Sequence, residues 1–182
     1  MDALTLLLNR RSTAALEAPG PEGSALDAIL GAAVRVPDFH GLRPYEFLIA
    51  EGEGRARLGL MMQQAATASG RAESEAARAR AMPLRAPLVI VVVAKARDSA
   101  VVSLFEQQLT AGCAVMAMQM AAVAQGYAGI WRSGWPMFDT NLAHALGLAA
   151  DDRIVGFLYL GTPARAPAAP VPISPAPFTR HL

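Results

Sequence analysis

An α+β fold, with helices interleaved among buried strands, is what this sequence predicts, and three observations carry the prediction. The runs LVIVVVA at 88–94 and IVGFLYL at 154–160 are apolar on both faces and rich in β-branched residues, as strands buried inside a sheet are. Polar-faced stretches with helical spacing lie between them. From Gln107 to Trp131 no residue carries a charge, which marks a helix buried nearly all round.

Taken in order, Asp2 to Asn9 is a short helix with Leu4, Leu7 and Leu8 on one face, ending at Arg10-Arg11-Ser12. A second amphipathic helix runs from Ala25 to Val34, with Ser24 expected as its N-cap and Pro37 beyond its end. Residues 36–44 form a loop, and Tyr45 to Glu51 alternates as a strand does. Helices follow at Gly54–Ser69 and Ala72–Ala81, then the buried strand Leu88–Ala94. The longest helix spans Phe105 to Gln125, and a short strand from Ala128 to Trp131 leads into Arg132-Ser133-Gly134. Asp139 caps a helix through Leu146, and Ile154–Leu160 is the last strand, ending at Gly161. From Pro163 on, the density of proline rules out a helix, so residues 163–182 are expected to form an extended C-terminal arm on a single domain spanning 1–182.

Hydrophobic residues make up 53% of the chain and charged ones only 17%. Soluble domains average roughly a quarter charged, so the excess apolar surface needs cover. A membrane is an unsuitable cover: five polar Gln and Thr residues and three glycines interrupt the uncharged stretch, where a spanning helix wants ~20 predominantly apolar residues. Met1-Asp2-Ala3-Leu4 puts an acid where a signal peptide wants a base. A subunit interface in a cytoplasmic protein is the better expectation. Cys113 is the single cysteine, so no intrachain disulfide or cysteine-based metal site can form. With 16 basic and 15 acidic residues, the chain lacks the basic footprint of a nucleic-acid binder.

No glycine-rich dinucleotide fingerprint, phosphate loop or His-Glu-x-x-His motif occurs, and His40, His144 and His181 are scattered. An enzyme built this way needs a cofactor that carries the chemistry itself. Three clusters could serve one. Arg10-Arg11-Ser12 offers two guanidinium forks and a hydroxyl to a phosphate, although arginines at a helix C-terminus also complement its dipole. Trp131-Arg132-Ser133 combines an aromatic face, a guanidinium and a hydroxyl at a strand end; a core-packed Trp beside a solvated Arg is the plain alternative. Arg35 to His40 is a loop with a base, an acid, an aromatic and an imidazole, in which Arg35 and Asp38 also suit a simple ion pair.

Together the segments MDAL…NRRS, RVPD…RPYEFLIAEGEGR, RAPLVIVVVAK, AGCAVMAMQMAAVAQGY-AGIWRSG and IVGFLYLGTP resemble the FMN-dependent nitroreductase family over nearly the whole chain. The resemblance implies an α+β, three-layer fold with a central mixed, largely antiparallel sheet flanked by helices. It implies a homodimer with one FMN in each of two interface clefts. It also implies an activity: two electrons pass by hydride transfer from NAD(P)H through the flavin to a nitroaromatic, quinone or similar small acceptor, in ping-pong fashion. By position, Arg10, Arg11 and Ser12 match the segment that holds FMN, chiefly at its phosphate and ribityl end. Arg35, Phe39, Trp131, Arg132 and Ser133 match further flavin contacts, and Ala121, Ala122, Val123, Ala124, Gln125 and Gly126 match a stretch assigned to NAD(P). No side chain is expected to act as a catalytic acid or base, and no metal is expected. One departure stands out: the family's close members read Arg-x-Pro-Asp-His, and the position of that His is Phe39 here, with His40 next. Two rival readings keep the scaffold but change the role: an FMN-binding storage or regulatory protein without turnover, and a flavin dehydrogenase of another small substrate.

Overall fold

A computed structural model describes residues 2–166 and 170–182. Its strands are β1 (Leu16–Glu17), β2 (Tyr45–Glu51), β3 (Leu88–Ala94), β4 (Ala128–Arg132) and β5 (Arg153–Pro163). Its helices are α1 (Ala3–Leu8), α2 (Ser24–Ala33), α3 (Glu53–Ala68), α4 (Glu73–Ala81), α5 (Leu104–Ala124) and α6 (Thr140–Ala145). The sheet runs β1-β5-β3-β2, with β4 also paired to β5, and every described ladder is antiparallel.

β3 shows why both faces of its sequence are apolar. Leu88, Ile90 and Val92 point to a core formed with α2 and α5, through Ile29, Ala33, Ala114, Val115 and Met118. Val89, Val91 and Val93 point the other way, to Leu58, Met62, Ala65 and Ala76 of α3 and α4 and Leu142 of α6. A strand with period-two side chains and helices on both sides must be apolar at every position. The result is helices, sheet, helices, the expected three layers.

Several boundaries differ from expectation. Ser24 is the first residue of α2, and Gly23 (φ 53°) takes the cap position without a side-chain hydrogen bond. Helix α5 begins at Leu104 because Ser103 and Glu106 form a reciprocal capping box. Asp139 caps α6 as anticipated, accepting from the Leu142 amide at 2.9 Å. Strand β5 continues through Pro163, since β4 pairs with it as far as Gly161 and β1 takes over at Thr162 and Pro163. The proline-rich arm therefore leaves the sheet later than expected; residues 167–169 of it lie outside the described residues. Its described part carries Val171, Ile173, Phe178 and Leu182 fully or largely exposed.

The ladder between β3 and β5 has one irregularity. Val92 pairs with Gly156 but Val93 pairs with Ile154, so Val155 is an extra residue bulged out of β5. A bulge breaks the alternation of side chains and re-aims them. Val155 and Gly156, though consecutive, both turn toward the α5 layer.

Candidate functional site

The bulge supports Trp131. On β4, Trp131 stands opposite Leu158 and so faces the α5 layer; its indole Nε1–H donates to the bulged Val155 carbonyl at 3.1 Å. The ring passes directly over Gly156, where a Cβ would sit 1.9 Å from Nε1. Only a residue without a side chain leaves the indole room to lie there. Across the ring, Gly112 of α5 leaves ordinary contact distance. The indole is thus fixed on three sides and 40% exposed on the fourth.

That open side faces a groove with two confluent halves. One half, of about 480 Å³, is lined by Arg10 and Ser12 after α1, Ser133 after β4, and Gln119 of α5. The other, of about 700 Å³, is lined by Phe105, Leu109, Gly112 and Cys113 of α5 together with Phe138 and Ile154. Met116, Trp131, Met137 and Val155 belong to both halves. Residues 105, 109, 112, 116 and 119 follow helical three-and-four spacing, so one face of α5 forms a continuous wall. The groove grades from a cationic, hydroxyl-bearing end to a mainly apolar one, in which Gln108 and Arg153 are the polar members.

The cationic end is tied to the sheet. The Gly129 carbonyl of β4 accepts from the Thr13 amide at 3.0 Å and from Gln119 Nε2 at 2.9 Å. Helix α1 ends at Asn9, whose side-chain amide donates to the Thr5 carbonyl at 2.8 Å. Between these two anchors, Arg10 and Ser12 are presented to the groove.

Of the residues the sequence singled out, Arg10, Ser12, Trp131 and Ser133 converge here. Arg11 is half-buried and lies off the groove walls. Arg132, opposite Phe157, faces the other side of the sheet, where its guanidinium lies 5.5 Å from the ring centroid of Tyr159 and its Nε is buried without a hydrogen-bond partner among the described residues. Burial pushes the Tyr159 phenol up, and the nearby Arg132 and Arg85 charges oppose that shift only in part. Arg35 and Phe39 are exposed and lie outside both halves of the groove. Among the described residues no ion pair joins Arg35 to Asp38; the Asp38 carboxylate instead accepts from the amides of Leu42 at 3.1 Å and Arg43 at 2.7 Å. Phe39 packs edge-on against His40, ring centroids 4.5 Å apart, with His40 in the left-handed region (φ 64°).

Residues 121–126 form the end of α5. The Gly126 and Tyr127 amides donate back to the Val123 and Ala122 carbonyls, with Gly126 at φ 88°, a Schellman cap. Ala121 and Val123 are half-buried and Ala122 fully buried, and the Gln125 side-chain amide is held by the Ala121 and Ala25 carbonyls. Neither half of the groove includes this segment.

Sequence reasoning singled out Met116 only as a core or interface residue on a helix whose C-terminal part could line a cofactor cleft, and did not find Gln119, Met137, Phe138, Val155 or Gly156. The available signal was the i, i+3 pair of Met116 and Gln119 beside small residues on an uncharged helix. A third recess, of about 570 Å³, adjoins the apolar half and contains Asp139, His144 and Asp152. Its acids are occupied structurally: Asp139 holds Leu142 and Ser69, and Asp152 holds Lys95, Ala96 and Ala149.

The sequence model of the nitroreductase family matches residues 7–162. The "Putative NAD(P)H nitroreductase YdjA" of Escherichia coli (strain K12) is 47% identical over 183 aligned positions that cover all of both chains. Among solved structures, the nitroreductase-like family protein from Bacillus cereus superposes with a TM-score of 0.86 at 21% identity, covering 100% of this chain and 96% of that one. An FMN-dependent nitroreductase from Clostridium difficile superposes with a TM-score of 0.67 at 22% identity, covering 92% and 91%.

Proposed function

The chain belongs to the nitroreductase family, and from that premise we propose that it is an FMN-dependent NAD(P)H oxidoreductase delivering two electrons to a small acceptor such as a nitroaromatic or a quinone. The observation that carries this reading is the convergence of Arg10, Ser12, Trp131 and Ser133, from two remote segments, on a groove graded from cationic to mainly apolar.

The residues present fit the cofactor. A phosphate needs donors, and Arg10 and Ser12 supply a charged fork and a hydroxyl where no described acidic residue lines the wall. A flat tricyclic ring needs a rigid apolar bed, and Trp131, Met116, Met137 and Val155 form one beside it. Each half of the groove is within the usual size of a cofactor pocket, ~300–1,000 Å³. When bound, FMN would supply the two-electron redox chemistry.

The chain's own work is then binding and orientation. The Val155 hydrogen bond and the Gly156 cradle hold the Trp131 ring at one tilt. Phe105, Leu109 and Phe138, each more than half exposed, line an open apolar half where a nicotinamide or an aromatic acceptor would lie against the same surface in turn. Among the described residues no Asp, Glu, His or Lys lines either half, so protons come from solvent.

The proposal extends to a homodimer. The outer face of α1 exposes Leu4, Leu7 and Leu8, and α5 exposes Phe105 and Leu109, with no described residue covering them. Such faces suit a core-like subunit interface. Arg35 and Phe39, outside the groove of their own chain, would then approach the groove of a second copy. The 121–126 helix end offers a dinucleotide no charged side chain, only backbone groups and the Gln125 amide, so we place NAD(P)H in the apolar half instead. No helix among the described residues is long and apolar enough to cross a membrane, in keeping with a proposed cytoplasmic site of action.

The test is the visible spectrum of the purified protein before and after anaerobic NADH or NADPH. Flavin absorption that bleaches with reductant supports the proposal. A yellow protein that does not bleach supports storage without turnover, and a colourless one that cannot be reconstituted with FMN refutes both.

A further inference from the structure

We propose that Gln119 accepts a hydrogen bond from a ribityl hydroxyl of the flavin and so selects cofactors that carry the ribityl chain; this rests on the FMN reading above. Gln119 is 2% exposed, yet it lines the cationic half of the groove. Its Nε2 donates to the Gly129 carbonyl at 2.9 Å, which fixes the orientation of the amide, since a carbonyl can only accept. No described residue donates to Oε1, while Nε2 keeps a second N–H beyond the one given to Gly129. Oε1 is not among the buried unpaired atoms, so it opens onto the groove, where a ligand hydroxyl can donate to it in place of water.

The chemistry of the ligand's parts decides which donor. A phosphate at neutral pH presents acceptor oxygens, which Oε1 would repel. Gln119 shares the Gly129 carbonyl with Thr13, next to Ser12, so it stands beside the proposed phosphate end rather than among the apolar residues that would hold the ring. Between phosphate and ring, the ribityl chain carries the hydroxyl donors. Arg10 supplies donors only, Trp131 Nε1 is taken by Val155, and Ser12 and Ser133 can act either way. Among the described residues of that half, Gln119 supplies the one side-chain amide oxygen, an atom that can only accept.

The test compares three flavins on the full-length protein stripped of cofactor, by quenching of flavin fluorescence. FMN has phosphate and ribityl chain, riboflavin lacks the phosphate, and lumiflavin lacks both. Gln119→Met should weaken FMN and riboflavin by the same factor, about 2- to 10-fold for one neutral hydrogen bond, and leave lumiflavin unchanged. Gln119→Glu, which keeps an acceptor oxygen but loses the donation to Gly129, should retain riboflavin better than Gln119→Met does. Equal weakening of all three flavins, loss confined to FMN, or equal loss in both variants would assign Gln119 to propping the Arg10–Thr13 segment and overturn the proposal. Failure of the unaltered protein to bind any flavin would overturn the FMN reading itself.

Discussion

Gly156→Ala tests the cradle beneath Trp131. The new Cβ would fall 1.9 Å from indole Nε1, 2.5 Å from Cδ1 and 3.0 Å from Cε2. Indole and β5 backbone are both rigid, so one must move. Over-packing of this kind costs about 1–3 kcal/mol, and displacing the ring also loses the Nε1–H···O=C bond to Val155, about 0.5–1.5 kcal/mol. Replacing glycine in a strand returns about 0.5–1 kcal/mol of backbone entropy. We expect a net destabilisation of about 1–3 kcal/mol by urea unfolding, together with weaker FMN binding because the groove wall has shifted. In a Trp131→Ala background the clash is gone, and Gly156→Ala should become neutral or mildly stabilising. The double-mutant cycle should thus show a coupling of roughly 1–3 kcal/mol, as for residues in contact. Equal destabilisation in both backgrounds, or none in the unaltered protein, would refute the cradle.

Arg10→Ala should weaken FMN by roughly 10- to 150-fold, the equivalent of about 1.5–3 kcal/mol for a charge-assisted hydrogen bond, and riboflavin much less; equal weakening of both would remove Arg10 from the phosphate. Burial pushes the Asp152 carboxyl up, but the Lys95 ammonium and the Ala149 and Ala96 amides outweigh it and hold the group below its ordinary range. Its contribution is present above the unfolded carboxyl range, about pH 4, and is lost as pH falls through the lower folded value. Acid titration of Asp152→Asn should therefore show a shallower loss of stability below about pH 4 than the parent. Ending the chain at Ala166 preserves the β1–β5 ladder but removes Val171, Ile173 and Phe178; sedimentation should show a weaker dimer, and an unchanged one would reduce the arm to a tail. If donor and acceptor use one apolar half of the groove in turn, double-reciprocal plots should be parallel, and intersecting lines would mean two separate pockets.

The strands and helices that could be read from sequence were those whose pattern repeats. β3 was legible because both its faces are buried, and α5 because charge is missing all round it. β1 was not: Leu16–Glu17 is a strand only because β5 runs on far enough to pair with it. The bulge at Val155 depends on the register between β3 and β5, which neither segment encodes alone. Arg132 and Trp131 read as one cluster, yet in a strand neighbours face opposite sides, so their side chains part. Gln107 and Gln119 look alike as polar interruptions of α5. Gln107 is fully used in clamping the loop before the helix, through Arg97 and Val102, whereas Gln119 keeps an oxygen for the groove. Distinguishing them needs the positions of Gly129 and Thr13, which come from elsewhere in the chain.

The strand with the most partners is also the last to be synthesised. β5 joins β3 on one side and β4 on the other, and its far end takes in β1, so Leu16 waits for Pro163 and Ala128 for Gly161. While the chain is being made, at ~5–20 residues per second, β2 and β3 can pair with each other, but β1 and β4 have no described partner until residues 153–163 have emerged. The α2 and α5 layer meanwhile lacks Leu158 and Leu160 beneath it. A nascent chain halted before Arg153 would therefore display its unpaired β3 edge and the uncharged helix together, the surfaces a holding chaperone would be expected to bind.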